Sequence, residues 1–533
     1  MRYFDFHTHV VFKQLFAEVP NLDSKISSQD VSGLPRLCSD LPNIIQTQIH
    51  QSQLASFEDE VMVGVVLYGL ESYLSKQVIP LRKNLKLASQ FKMWLKLFED
   101  IADTTAATTY KIFDEFTKKR TLEKYLAAPL SFNVVKKSSF NNSLPKNKVN
   151  IFFVIEGCHS LVNSSMEAPI DNPAKTFPPA EILANLDLLL QEVKILTINP
   201  THMQQSNLCN HAFGMQLTSD EPFYPHGNGL TDDGRKVIQG FFDRGINADL
   251  KHMSYKSRRD LRNEIDAGKF NNVQHLLCTH SGFTGVGFND WPGYIYTKRS
   301  VKDVYYVELV KTIQVVNEPV KPAAPGFNMT TINLFNEEIV WLVEHGGMIG
   351  LSLDRRILGY VDPNDDRPTG RTADSSLFVD KEYISKAEWS ALNLDRSRLG
   401  YSIQEDDCVT EDNVKKSIEN GIPGRDEYFY DYILLHLKHF LQVCFDAGIP
   451  IEQSQKHITI GSDFDGMINP FINIQTVEDM PVLKKYIAAN FMFYIKSLKD
   501  SAEWADQLDV NQFTENLFYE NGFNYVSNYF KTH

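Results

Sequence analysis

Short apolar runs rich in β-branched and aromatic residues recur along this chain, and segments long enough for a helix separate most of them. Eight such runs stand in order: Tyr3–Phe6, Val61–Tyr68, Asn150–Gly157, Val193–Asn199, Ile246–Leu250, Val273–Thr279, Met348–Leu353 and His457–Asp463. A strand buried on both faces reads as a nearly continuous apolar run, and parallel strands need long crossovers, usually helical. ILANLDLLLQE, after the third run, carries apolar residues three and four apart. Thr231 is a candidate N-cap for the amphipathic segment that stops at Gly245, and DYILLHLKHFLQVCFDAG ends at Gly448. NEEIVWLVEHGG and KLASQFKMWLKLFEDI (Lys86 to Ile101) also read as helices. The pattern predicts an α/β fold, a (β/α)8 TIM barrel with a closed sheet. A doubly wound open sheet is the competing arrangement.

The 533 residues exceed what such a barrel needs. The surplus falls at 17–58, 160–180, 284–332 and 360–425, and the last two segments are rich in Pro, Gly, Asp and Arg. They read as loops decorating one barrel domain over 1–533 rather than as linkers, and no internal repeat is present. With 43% hydrophobic and 23% charged residues, a sizeable core is expected and wholesale disorder is not. The net charge of -14 argues against a general nucleic-acid or anionic-membrane partner. The apolar run at 61–67 is too short to cross a bilayer, and the N-terminus has no signal-peptide pattern. Six cysteines without CxxC pairing fit reduced thiols, so a cytoplasmic location is expected.

Placed on the barrel, the unusual polar residues fall at strand ends. His7 and His9 follow the first strand and Glu156 ends the third. His202, His252 and His280 follow the fourth, fifth and sixth, and Asp463 ends the eighth. The carboxyl end of a barrel sheet is where side chains from several strands converge. His7 and His9 share one side of an extended strand, so both imidazoles can reach one ion. Imidazole and carboxylate suit zinc, and the set is sufficient for two divalent ions with Glu156 spanning them. A single histidine after a strand is more often a satisfied structural residue. Several at successive strand ends favour a site.

Four ordered blocks carry a family resemblance: VIEGCHSL from Val154, GLTDDGRKVIQGFFDRGINADLKHMS from Gly229, THSG from Thr279 and ITIGSDFDG from Ile458. Through them the chain resembles the membrane dipeptidase (renal dipeptidase-like, M19) family of the metal-dependent amidohydrolase superfamily. The resemblance implies a (β/α)8 barrel, usually with two zinc ions, that cleaves dipeptides and related amides. It puts His7 on the first histidine ligand, Glu156 on the bridging carboxylate, His252 and His280 on the second ion, and Asp463 on the final aspartate. His202 resembles the histidine that meets the substrate and the developing oxyanion.

Two positions depart from that family. It commonly carries His-x-Asp at the opening motif, whereas this chain has His7-Thr8-His9, the version of the wider superfamily. Imidazole preserves coordination but leaves the cluster one negative charge short, which bears on metal preference and on the charge of the favoured substrate. The family also follows its THSG-like histidine with an arginine that grips a dipeptide carboxylate. Here that pattern is lost in an insertion, leaving Arg299, Arg355 and Arg356 as candidates, each with a plain reading as a solvated surface charge.

The leading functional reading is a binuclear hydrolase that cleaves an amide bond in a small substrate by attack of metal-bound hydroxide. In it Asp463 is general base and then general acid, and His202 hydrogen-bonds the oxyanion. Asp5 and Asp465 stand behind the ligands. Asp249 and Lys251 are expected to face away from His252, while His159 and His211 have no assigned role. One alternative is the same scaffold acting on a lactone, cyclic amide, deaminable ring or phosphoester. Another is a non-catalytic barrel used as a scaffold or binding protein. A homodimer is compatible with the resemblance.

Overall fold

The computed structural model describes residues 1–10, 44, 46–68, 132–141, 144–146, 148–162, 177–214, 223–310, 313–314, 324–360, 379–394, 428–497 and 502–532. The helix expected at Lys86 to Ile101, and most of the segments 17–58, 160–180 and 360–425, lie outside these residues.

All eight apolar runs are strands: β1 (Tyr3–Thr8), β2 (Val61–Tyr68), β3 (Val149–Glu156), β4 (Ile195–Ile198), β5 (Asn247–Asp249), β6 (Leu276–Ser281), β7 (Met348–Leu351) and β8 (Ile458–Ile460). Each pairs in parallel with the next in sequence, with a short extra strand, Phe132–Val134, beside β3. The residues after β8 return to β1. Asp463 N donates to His7 O at 3.0 Å and His9 N to Phe464 O at 2.8 Å, which closes the ring. The closed (β/α)8 barrel is therefore the observed arrangement, not the open sheet.

Helices fill the crossovers from β3 onward, and one more follows β8. They are α1 (Pro179–Leu190), α2 (Asp232–Phe242), α3 (Tyr255–Asp266), α4 (Asn336–Glu344), α5 (Tyr428–Asp446) and α6 (Met480–Ser497). Thr231 caps α2 as expected, its hydroxyl accepting from Gly234 N at 3.1 Å.

Alternation along the strands splits the core into two layers. Phe4, Phe6, Met62, Phe152, Val154 and Leu277 form one cluster, and their neighbours Tyr3, Val61, Val63, Ile151 and Cys278 pack with helix residues such as Ile182 and Leu342. Each fully buried Phe contributes about 1.5–3 kcal/mol of apolar burial. The C-terminal helix Asn521–Thr532 adds Val526, Tyr529 and Phe530 to the first cluster. Tyr529 OH donates to Ile195 O and Asn521 Nδ2 to Ile458 O, both at 2.8 Å. Ile195 and Ile458 open their strands, so this helix stoppers the amino end of the barrel. The carboxyl end is left to the loops.

Two of the surplus segments are more than loops. Ile295–Val301, Val304–Val310 and Val379–Ser385 form an antiparallel sheet, with Val304 opposite Ser385 and Leu309 opposite Asp380. Its apolar face (Ile295, Val307, Leu309, Ile384) packs with Trp389 against Tyr255 and Phe335, at the start of α3 and α4. Two buried carboxylates fasten it to the barrel loops. Glu388 Oε1 accepts from Gly229 N at 2.8 Å and Ser254 Oγ at 2.6 Å, and Glu382 accepts from the N–H and hydroxyl of Thr331. Burial pushes Glu382 up to about 8 despite those bonds. Cys158, Cys209, Cys278 and Cys444 are free and buried. Among the described residues no helix is long and apolar enough to cross a membrane.

Candidate metal centre

Glu156, the last residue of β3 and only 3% exposed, sits in the middle of the barrel's carboxyl end. Its Oε1 lies 3.1 Å from His252 Nε2, 3.4 Å from His280 Nε2 and 3.6 Å from Nε2 of both His7 and His202. Its Oε2 lies 3.2 Å from His9 Nε2. Asp463 Oδ1 stands 3.4 Å from His9 Nε2 and 3.8 Å from His7 Nε2. The structure thus brings the six sequence-predicted metal ligands together, with His202 beside them. Three triads hold one donor atom per residue within 4.8 Å: His7, His9, Glu156; His7, His280, Asp463; and Glu156, His202, His252.

The donor set fits divalent cations. His252 and His280 face each other through Nε2 at 3.1 Å, as His7 and His9 do at 3.3 Å. Two imidazole lone pairs that close repel unless a proton or a metal ion lies with them. Burial would pull His9 down, but hydrogen bonds to the carboxylates of Asp463 and Glu156 lift it to about 10. The carboxylates therefore hold positive charge at this spot. Burial would raise Glu156, yet His202, His252, His7 and His9 hold it well below the usual carboxylate range. Burial keeps His252 and His280 neutral, the form in which imidazole binds a metal. Nitrogen and carboxylate donors without thiolate suit zinc and its neighbours.

Backbone strain aims two of these side chains. His252 (φ 67) and Asp463 (φ 61) occupy the left-handed region, which costs a non-glycine residue on the order of 1–3 kcal/mol. Such strain persists where the surroundings over-determine it, and here each residue has just left its strand. Gly157 (φ 77) follows Glu156, and a Cβ there would stand 2.3 Å from His159 Nδ1. A Cβ on Gly466 would stand 2.1 Å from Asp463 Oδ1 and 2.8 Å from His9 Cδ2.

Asp5 and Asp465 work through the backbone. Asp5 Oδ1 accepts from His7 N at 3.2 Å and Ser462 N at 2.9 Å, tying β1 to the end of β8. Asp465 Oδ1 accepts from Gln48 N at 2.7 Å, so it orients the segment before β2.

Asp249 does not turn away from the site. It lies inside the barrel, where it accepts the hydroxyl of Thr279, and that hydroxyl is 3.0 Å from His7 Nδ1 and 3.2 Å from His280 Nδ1. Parity counted from His252 misleads because His252 no longer follows the strand. Counted from Ala248 and Leu250, which pack toward the helices, Asp249 points inward. Burial raises its carboxyl, opposed by hydrogen bonds from Thr279 and Lys251 N.

Tyr68 was also missed. Its ring ends β2 and is surrounded by His202 at 5.4 Å, His9 at 5.5 Å and His159 at 5.7 Å between centroids. β2 was the one strand among the first six with no polar residue assigned at its end, which was the available signal. His211 bonds Phe223 O and is structural.

The arginines part company. Arg299 lies in the inserted sheet with its guanidinium 4.3 Å over Tyr306, and Arg355 is buried over Tyr360. Among the described residues Arg299 has no contact with the histidine cluster. Arg356 grips Asp354 through Nε at 3.0 Å and Nη2 at 2.7 Å, and bonds Met467 O at 3.0 Å, four residues beyond Asp463. It lines a cavity of about 210 Å³ with Phe213, Asn328, Thr330 and Lys381.

No family model and no curated protein matches the chain. Among solved structures it is similar to a metallo peptidase from Rhodobacter sphaeroides liganded with a phosphinate mimic of the dipeptide L-Ala-D-Ala, at 13% identity and TM-score 0.47, over 100% of this chain and 99% of that one. It is similar to the dipeptidase AC, a metallo peptidase of family M19, with the same values. An amidohydrolase from Pseudomonas aeruginosa shares 10% identity at TM-score 0.40, over 91% of this chain and 100% of that one.

Proposed function

We propose that the protein is a metal-dependent hydrolase that cleaves an amide bond in a small substrate, with a dipeptide as the first candidate. The two-sided placement of Glu156 carries this reading: Oε1 faces His252 and His280 while Oε2 faces His9. His7, His9 and Asp463 would hold one ion, His252 and His280 a second, and Glu156 both, with zinc the leading candidate. Bound there, such ions polarise a carbonyl and bring a water to near-neutral pKa.

The chain's own residues do the rest. Asp463 takes the proton of the attacking water and delivers it to the leaving nitrogen. His202, packed edge-on against His252 at 4.2 Å, hydrogen-bonds the oxygen on which negative charge develops. Arg356, held by Asp354 and Met467 O at the edge of a cavity, is the arginine proposed to meet an anionic group of the substrate. The free, buried thiols support a reducing compartment such as the cytoplasm.

The imidazole of His9 in place of a carboxylate keeps a second reading open, the same scaffold acting on a lactone, cyclic amide or phosphoester. A panel of L,L- and L,D-dipeptides, N-acyl amino acids, lactones and phosphotriesters, assayed on metal-loaded protein, separates the two. Amide substrates, dipeptides foremost, are expected to turn over fastest. Robust hydrolysis of another class with no dipeptide turnover would refute the dipeptide assignment.

A further inference from the structure

Thr279 precedes His280 on β6 and is fully buried. A hydroxyl has one proton to donate and two lone pairs to accept with. Three partners surround Thr279 Oγ1: Asp249 Oδ2, His7 Nδ1 at 3.0 Å and His280 Nδ1 at 3.2 Å. Asp249 is anchored independently, since its Oδ1 accepts from Lys251 N at 2.9 Å and Thr279 N at 3.3 Å. With the hydroxyl proton given to Asp249, both lone pairs remain for the two imidazoles. Each ring then carries its proton on Nδ1 and turns a bare Nε2 toward Glu156. The rings of His7 and His280 lie 3.9 Å apart, so one support reaches both.

We infer that Thr279 and Asp249 form one positioning pair that sets the tautomer and orientation of His7 and His280 together, so that both proposed ions depend on a single buried hydroxyl. This rests on the metal-dependent reading above. Outer partners of this kind orient a ligand histidine and raise its basicity, and losing one lowers metal affinity about 10–100-fold.

Thr279→Val keeps the shape and removes the hydroxyl. Asp249→Asn turns an amide N–H toward Thr279 Oγ1, so the hydroxyl donates to one imidazole Nδ1 instead, and that ring then carries its own proton on Nε2, where it blocks a metal. Zinc affinity is measured for both equivalents by chelator competition, and the ligand field by the visible spectrum of the cobalt-substituted protein. T279V is expected to weaken both equivalents about 10–100-fold and D249N at least one of them, and both variants to alter the cobalt spectrum. T279S, which restores the hydroxyl, is expected to bind as the wild type does. A merely structural role would lower the melting temperature of all three metal-free variants and leave the affinities unchanged. Wild type binding two ions, with T279V binding them equally tightly or weakened at one equivalent alone, would overturn the shared support and leave the metal reading intact. Should T279V not fold, D249N with wild-type affinity gives the same refutation. Wild type that binds no metal contradicts the metal reading itself, and this inference with it.

Discussion

Asp463→Asn is expected to lower turnover about 10²–10⁴-fold while the protein keeps its fold and much of its metal. That range corresponds to about 2.7–5.5 kcal/mol of transition-state stabilisation. Asn has the same shape and tolerates the φ of 61 that this position requires as well as Asp does. The backbone bond from residue 463 to His7 O, which closes the barrel, does not involve the side chain. The amide oxygen can still approach His9 and a cation, but the amide cannot take up and return a proton. The check is kcat and KM on the best amide substrate at saturating metal, with metal content and near-ultraviolet circular dichroism on the same sample. Wild-type turnover in that sample would discard the proton-transfer role.

Glu156→Gln is expected to act one step earlier, on the metal itself. Glutamine offers one oxygen where the carboxylate offers two, and its NH2 presents donors to whichever side it faces. It also removes the negative charge that five imidazoles surround. Bound metal should fall from about two ions per chain to one or fewer, and turnover to background with it. Elemental analysis of protein reconstituted with excess zinc, then freed of unbound ion, reads the outcome directly. A variant that retains both ions would remove Glu156 from the bridging position.

Much of this was legible in the sequence, and the physical reason differs by feature. The strands of the barrel are buried on both faces, so runs such as VMVGVVLY and NIFFVIEG stand out from their amphipathic crossovers. Once eight strands are placed in order, His7, Glu156, His252, His280 and Asp463 fall at one end by topology alone. Asp249 was lost because strand parity fails where the backbone turns at His252. Thr279 was lost because its importance lies in three partners distant in sequence or hidden by local parity. The inserted sheet pairs Val304–Val310 with Val379–Ser385, and pairing over that separation leaves no local signature. Its hairpin did leave one, in the alternation of IYTKRSVKDVYYVELV around Lys302, which has φ 51. The Pro- and Gly-rich surroundings masked it.

If these side chains hold metal for hydrolysis, the wild-type protein itself must carry it. Protein stripped with a chelator, reloaded with zinc and freed of excess is expected to carry about two ions per chain. Its amide hydrolysis should vanish on stripping and return on reloading. Essentially no bound metal after reloading, in protein that remains folded, would contradict the account.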